Sequence, residues 1–269
     1  MAENQLNFDI PRLGPCTFPS PLSGLRFVED DEEILYPSSF AEIRQYIEKG
    51  ASPPRFETAG PRKNIHFDPA GLKCGIVTCG GLCPGLNDVI RAIVLSLYHH
   101  YQVSAVYGFR YGYQGLSAQY RDTALQLTPA IVDDINHKGG TILGSSRGPQ
   151  AAAEMVDTLQ MMQINILFTV GGDGTLRGAQ AIAGEIRRRN LNIAVIGIPK
   201  TIDNDISFLQ QSFGFETAVT ESRAAVYSAN MEALGARNGI GLVKLMGRAS
   251  GFIAAYATLA NSEVNYCLI

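Results

Sequence analysis

Apolar runs and polar breaks alternate along this chain with two periods. Short, nearly continuous apolar runs at Cys74 to Thr78, Ser104 to Phe109, Ile166 to Val170, Ile193 to Ile198, Gly239 to Leu245 and Val264 to Ile269 predict strands of the kind buried on both faces of a parallel sheet. Between them, apolar residues recur every three or four positions. Val89, Ile90, Ile93, Val94 and Leu97 mark one helix and Leu176 to Arg189 a second; Gly214 to Ala233 is a third, with Phe215, Val219, Val226 and Ala229 on one face, and Ser250 to Ala260 a fourth. Thr128 before Pro129 is a further helix start, with Thr as N-cap and Pro at the first helical position. Strands alternating with helices predict an α/β architecture, and Ile166 to Ile198 reads as one βαβ unit. Met1 to Asp68 is different: rich in Pro and in acid at Glu29 to Glu33, with one helical stretch from Ser39 to Glu48, it is expected to be an extension that wraps a subunit.

Parallel sheets place their ligands beyond the carboxyl ends of the strands, and the polar residues of this chain collect there. Gly171, Gly172 and Gly174 allow backbone N–H groups to approach an anion at the positive end of the following helix, which suits a phosphate. Asp173 would repel that phosphate unless a divalent cation lay between them, so it reads as an Mg²⁺ ligand acting through water. After the next strand come Thr201, Asp203 and Asp205; one carboxylate can accept a hydroxyl proton while the other stays nearer the metal. Ordinary strand-to-loop turns also favour Gly, Asp and Asn, but two such clusters on consecutive strands of one βαβ unit favour a site.

Cys79 to Asn87 forms another glycine-rich strand-to-helix turn. It is not a Walker A loop, because Leu86 and Asn87 stand where Lys and Ser/Thr are needed, and it is not a dinucleotide fingerprint; at Gly172-x-Gly174 the last fingerprint position is Arg177. Arg147, in the loop Gly139 to Pro149, suits phosphoryl oxygens because a guanidinium can hold two at once; a loop salt bridge is the ordinary alternative. Met246-Gly247-Arg248 brings another cation to the end of a predicted strand.

Composition narrows the class. With 269 residues, 46% hydrophobic and 17% charged, the chain can bury a sizeable core as one large or two smaller domains. A net charge of −3 gives no nucleic-acid footprint and no basic membrane-binding face; the basic run Arg187 to Arg189 closes a helix, where cations suit the dipole. Met1 to Ile10 is too polar for a signal peptide, and no apolar stretch is long enough to span a bilayer, so a soluble protein is expected. Cysteines at 16, 74, 79, 83 and 267 suit a reducing compartment, and Cys79 and Cys83 lack partners at zinc-site spacing. His99 and His100 close a helix and are expected at the surface.

In combination, Gly80-Gly81-x-x-Pro84-Gly85, Gly144-Ser145-Ser146-Arg147, Gly171-Gly172-Asp173-Gly174-Thr175, Pro199-Lys200-Thr201-Ile202-Asp203-Asn204-Asp205 and Met246-Gly247-Arg248 resemble ATP-dependent 6-phosphofructokinase, in the plant and protist branch related to the pyrophosphate-dependent enzymes. The resemblance runs from about Phe67 to Ile269. It implies a Rossmann-like, three-layer α/β lobe over 69–269 behind an N-terminal extension over 1–68, with a second, substrate-binding lobe after Ile269. The activity it implies moves the γ-phosphoryl group of ATP, with Mg²⁺, to the 1-hydroxyl of fructose 6-phosphate, giving fructose 1,6-bisphosphate in glycolysis. The implied assembly is an allosteric homo-oligomer of the tetramer type, without nucleic-acid or membrane partners. The expected compartment is the cytoplasm, with a peroxisome-type organelle left open because a targeting tail could lie beyond Ile269.

The same resemblance makes Asp203 the base, with Thr201, Asp205 and Arg248 beside it in the catalytic set. Gly81, Arg147, Gly148, Gly172, Asp173, Gly174 and Thr175 are implied as the ATP-phosphate surface, with Asp173 serving Mg²⁺. Thr201, Ile202, Asp203, Met246, Gly247 and Arg248 are implied to contact fructose 6-phosphate or its transferring phosphoryl group.

Departures from the family pattern bear on the donor and the acceptor. Gly174 leaves room for the ATP α-phosphate where pyrophosphate users carry Asp, whereas Lys200 is typical of pyrophosphate users. Gly174 carries more weight, since a carboxylate beside an extra phosphate repels it while a Lys neutralises phosphoryl charge with either donor. Gly239 stands where many bacterial relatives have an Arg that reaches a neighbouring subunit's sugar phosphate, so another cation must serve. The alternatives are a pyrophosphate-dependent phosphofructokinase and a non-catalytic nucleotide-binding fragment or subunit. Kinases resembling NAD kinase and diacylglycerol kinase share Gly-Gly-Asp-Gly-Thr but lack the Thr201 to Asp205 cluster and the Met246-Gly247-Arg248 turn. The last apolar run stops at Cys-Leu-Ile as though cut inside or at the tip of a strand, and an unpaired apolar strand there is expected to promote association.

Overall fold

The structure is a computed structural model that describes residues 8–269, so the polar start of the chain lies outside the described residues up to Asn7. The extension holds β1 (Phe18–Pro19), β2 (Glu33–Leu35), α1 (Phe40–Glu48), β3 (Arg55–Glu57) and β4 (Asn64–Ile65). Strands β1 and β4 pair antiparallel, and β2 and β3 pair antiparallel between them, which makes two small nested ribbons. Such ribbons are marginal alone. Arg55 to Glu33 at 2.7 Å bridges β2 and β3, and Arg12, ahead of β1, reaches Glu57 of β3 at 2.8 Å, but exposed pairs of this kind are each worth at most about 1 kcal/mol. A firmer tie comes from His66, whose Nδ1 lies 3.0 Å from the Pro15 carbonyl and whose Nε2 lies 2.8 Å from Asn192 Oδ1 on the main lobe.

The lobe contains β5 (Lys73–Thr78), α2 (Leu86–His99), β6 (Ala105–Phe109), β7 (Leu125–Leu127), α3 (Pro129–Val132), α4 (Ala152–Met161), β8 (Ile166–Gly171), α5 (Asp173–Arg188), β9 (Ala194–Pro199), α6 (Phe215–Gly235) and α7 (Phe252–Ala260). Among the described residues, the central sheet runs β7-β6-β5-β8-β9, parallel throughout except for β7. Cys74 faces Val106 on one side and Ile166 on the other, and Ile166 in turn faces Ala194.

Alternation along β5 explains the layers. Cys74 and Ile76 pack with Ile90, Val94 and Leu97 of α2 and Val132 of α3 on one face. Val77 points the other way, into a cluster with Met155, Val156 and Leu159 of α4 and Ile182 and Ile186 of α5. Both faces of β5 are thereby dry, which is why its sequence is apolar without a polar alternate. Thr128 caps the short α3 as predicted, its hydroxyl accepting from the Ile131 amide at 3.4 Å. His99 and His100 are exposed, and no helix among the described residues is long and apolar enough to cross a membrane.

The structure corrects three element expectations. Helix α5 begins at Asp173 rather than Leu176, because the Thr175 amide already donates to the Gly172 carbonyl at 2.8 Å. Neither Gly239 to Leu245 nor Val264 to Ile269 forms a strand. The first segment runs along α6 instead: a Cβ at Gly239 would stand 2.2 Å from the Ala233 carbonyl oxygen, and one at Gly241 would stand 2.7 Å from that of Ala229. The second has no ladder partner and is exposed, with Ile269 against Gly251. Their apolar patterns are those of strands, but a strand exists only through a hydrogen-bonded neighbour.

Candidate active site

Strand order reverses direction between β5 and β8: β6 and β7 lie to one side, β9 to the other. Crevices at such a switch point collect the loops that leave the carboxyl ends of the strands. Here the loops after β5, β8 and β9, the loop before α4 and the turn before α7 line one cleft of about 1350 Å³.

One side of the cleft is built from backbone. Strand β5 ends at Thr78, and the chain turns through Gly80 with φ +83, a conformation in which a side chain would be strained. Hydrogen bonds lock this turn to its neighbours: the Cys79 amide to the Val170 carbonyl at 2.9 Å, the Gly80 amide to the Ser146 carbonyl at 3.3 Å, and the Ser145 hydroxyl to the Gly80 carbonyl at 2.6 Å. After β8, Gly172 caps α5 and leaves the first amides of the helix facing the cleft. Tyr113 fixes that helix end from below. Its hydroxyl donates to the Thr175 carbonyl at 2.6 Å, and its ring fills the space where a Cβ on Gly178 would come within 2.4 Å.

Asp173 is on the first turn of α5, ion-paired with Arg177 one turn later. Arg147 lies across the cleft, with its guanidinium 3.7 Å from the position a Cβ on Gly81 would take. Lys200 leaves the end of β9 with its backbone amide on the Gly171 carbonyl at 2.9 Å. Its side chain is buried, 5% exposed, and the ammonium donates to the Gly81 carbonyl at 2.6 Å. Burial depresses the Lys200 pKa, as does Arg147, while nearby Cys83, Cys79 and Asp203 oppose the shift.

The acid cluster is braced by hydroxyls. Thr201 Oγ1 accepts from the Asp203 amide at 3.1 Å and donates to Asp205 Oδ1 at 3.3 Å. Asn204 takes φ +54, a conformation Asn tolerates better than most residues, and its Oδ1 accepts from the Ser212 amide at 2.9 Å. The Ser212 hydroxyl returns to the Thr201 carbonyl. Ser250 Oγ sits between the carbonyls of Asp203 at 2.8 Å and Gly247 at 2.9 Å, fastening the Met246-Gly247-Arg248 turn to this loop. Partial burial raises the Asp203 pKa, and Asp205 raises it further; Arg248 and Lys200 pull it down. The carboxyl group is thus tuned toward accepting a proton.

Of the residues singled out from the sequence, Gly81, Arg147, Gly148, Gly172, Asp173, Gly174, Thr175, Lys200, Thr201, Ile202, Asp203, Asp205, Met246, Gly247 and Arg248 line this cleft, whereas Gly171 stays in β8, with Thr175 packed where its Cβ would stand. Arg248 reaches it from a turn, with φ +53, rather than from a strand end. Residues missed in the sequence are Tyr113, Arg177, Lys244 and Ser250. Arg177 carried a signal, since Asp and Arg four apart at a helix start are neighbours, and Lys244 stands two positions before Met246. Tyr113 and Ser250 act through contacts distant in sequence and carried none.

Residues 73–269 match the phosphofructokinase family. An ATP-dependent 6-phosphofructokinase from Borreliella burgdorferi is 51% identical over 268 residues, covering 98% of this chain and 60% of that protein. One from Trypanosoma cruzi is 53% identical over 244 residues, covering 90% of this chain and 50% of that protein. The chain therefore spans only half to three fifths of these relatives' length. A phosphofructokinase structure from Pichia pastoris superposes with a TM-score of 0.60 at 20% identity, over 85% of this chain and 29% of that one, and so supports the fold alone. With a family match across most of the sheet, its glycine loops and its acid cluster, this chain belongs to the phosphofructokinase family.

Proposed function

We propose that the chain carries the donor-binding loops and the general base of an ATP-dependent 6-phosphofructokinase, which transfers the γ-phosphoryl group of ATP to the 1-hydroxyl of fructose 6-phosphate. The observation that carries this reading is the placement of Asp203, with its raised pKa, in one cleft with two glycine loops and the cations Lys200, Arg147 and Arg248. In the proposed step, Asp203 takes the hydroxyl proton, the sugar oxygen bonds to the γ-phosphorus, and the bridging oxygen leaves with ADP. Thr201 and Ser250 hold the loop that presents Asp203, and Lys200, Arg147 and Arg248 offset the charge on the phosphoryl oxygens.

Mg²⁺ fits this arrangement in a limited way. Among the described residues no three His, Cys, Asp or Glu side chains are grouped to hold a metal ion, so a dedicated cage is not built. Asp173 alone fits an ion that draws its other ligands from water and substrate phosphates, once its pairing with Arg177 is given up. Such an ion, when bound, neutralises charge on the transferring group. Contacts to the sugar's 6-phosphate are not assigned to these residues, and a homo-oligomer is the assembly proposed.

Gly174 favours ATP as donor, since its open surroundings leave space beside the phosphate loop. The buried Lys200 favours the second reading, pyrophosphate. Turnover of fructose 6-phosphate and Mg²⁺ with ATP, measured against the same assay with pyrophosphate, decides between them; equal rates would overturn the ATP reading. Undiminished turnover in Asp203→Ser would remove the proposed base.

A further inference from the structure

The loop from Lys200 to Gly214 carries the proposed base near its start and reaches its apex at Phe208, whose backbone has φ +67. A bulky aromatic residue rarely adopts that conformation, and it persists where the surroundings hold it. Among the described residues, the hydrogen bonds at the apex stay within the loop: the Leu209 amide reaches the Ile206 carbonyl at 3.3 Å, and Asn204 Nδ2 reaches the Gln210 carbonyl at 3.2 Å. What ties the apex to the rest of the molecule is the Phe208 ring. It meets Phe8 edge-on at 4.9 Å and Tyr36 edge-on at 5.2 Å, while Phe56 closes the group at 4.5 Å from Phe8 and 5.9 Å from Tyr36. These edge-to-face distances are in the favourable range for aromatic pairs.

The three caging rings come from the extension. Phe56 lies on β3, Tyr36 directly follows β2, and Phe8 precedes β1, so the β2–β3 ribbon forms a socket for a residue some 150 to 200 positions later in the chain. The socket accounts for an aromatic side chain that remains 42% exposed at the tip of a loop. We infer that Phe208 is a positioning residue, seated in the Phe8–Tyr36–Phe56 socket, through which the extension fixes the loop that presents Asp203. The inference rests on the activity proposed above only for its kinetic part.

The test compares Phe208→Ala, Phe208→Tyr and Tyr36→Ala with the wild-type protein, and uses Phe40→Ala on the exposed face of α1 as a control outside the socket. Two quantities are measured: kcat and KM for each substrate, and hydrogen exchange of the amides from Asp203 to Ser212. Phe208→Ala and Tyr36→Ala are expected to lower kcat by about ten- to a hundredfold, the scale on which small misplacements of a catalytic group act, with the KM for ATP unchanged. Both should speed exchange across Asp203 to Ser212 and leave α5 unaffected, and Phe208→Tyr should restore wild-type behaviour. If Phe208→Ala fails to fold, Tyr36→Ala still reads the socket from the extension side. Unchanged exchange in the loop, or a loss of kcat in Phe40→Ala equal to that in Tyr36→Ala, would overturn the inference. A wild-type protein that shows the exchange pattern but transfers no phosphoryl group would overturn the proposed activity and support the socket.

Discussion

The Lys200 ammonium donates to the Gly81 carbonyl at 2.6 Å, although the strands that carry them, β9 and β5, are not neighbours: β8 lies between. A single side chain thereby joins the acid-bearing loop to the first glycine loop, across the mouth of the Gly172 to Thr175 turn. Lys200→Met keeps the buried stem and deletes the charge. Loss of the bond and relief of the ammonium's desolvation oppose each other, so stability should change by less than about 1.5 kcal/mol. Turnover should fall by roughly a hundred- to a thousandfold, as when a charge-stabilising donor is removed. Thermal melting and kinetics with ATP and pyrophosphate check this; undiminished turnover with both donors would mean that Lys200 is only a structural tie.

Two glycines one helical turn apart should behave oppositely. A Cβ at Gly174 meets nothing within 4 Å, so Gly174→Asp should fold like the wild type. Its new carboxylate, at about 6 Å from a nucleotide phosphate and an effective dielectric constant of about 20, adds a repulsion of about 2–3 kcal/mol. ATP affinity should therefore fall roughly 30- to 150-fold, as calorimetric titration would show. At Gly178 the added methyl group gains about 1 kcal/mol of helix propensity but strikes the buried Tyr113 ring, pinned by its Thr175 bond, and overpacking costs about 1–3 kcal/mol. The clash wins, and Gly178→Ala should melt lower than the wild type.

Asp203 supplies a pH test. Its pKa is raised, by burial first and by Asp205 second, so the acid limb of the rate profile should lie above that of an ordinary carboxylate, with activity lost as pH falls through it. Asp205→Asn removes one raising cause and should move that limb to lower pH. Arg248→Met removes a lowering cause and should move it to higher pH, alongside an expected loss of rate. Shifts in the same direction for both would show that the limb belongs to another group.

Much of this was legible in the sequence because a buried parallel strand and an amphipathic helix write themselves locally. Cys74 to Thr78 and Ile166 to Val170 are apolar for want of any wet face, and both fall within the observed strands. Gly172 to Thr175 and Lys200 to Asp205 were legible for a similar reason, since they follow β8 and β9, elements whose period is visible, whereas Arg147 and Arg248 stand on loops and were legible only through their motifs. Gly239 to Leu245 shows where this fails: its pattern suits a strand, but whether a ladder forms depends on a neighbour, and the backbone of α6 lies against it instead. Glu33–Leu35 and Arg55–Glu57 fail for length, being too short to show a period at all. Phe208 carried no signal, because the rings that seat it lie far away in sequence.

Buried thiols supply a test at alkaline pH. Burial raises Cys74 and Cys79 from 9.0 to about 12 and Cys83 to about 11. Because the folded values exceed the unfolded one, this stability is intact below about pH 9 and is lost as pH climbs toward 11–12. Denaturant titrations between pH 8 and 11 should show the decline, and Cys74→Ala should flatten it. An equally steep decline in the variant would place its origin elsewhere.

The central position of β5 also governs the order in which the chain can be assembled on a ribosome. Leu72, at the foot of that strand, meets Ser104 after 32 residues, so one edge of β5 is matched early. The other edge waits for β8: Lys73 binds Asn165 across 92 residues. At about 5–20 residues per second, that edge stays open for roughly 5–18 s of synthesis, with Ile76 and Val77 dependent on α2 and α4 for cover. The first glycine loop is thus translated long before Gly172 and Lys200, the residues that complete its surroundings, and the cleft around it stays unfinished in a nascent chain until β9 has emerged.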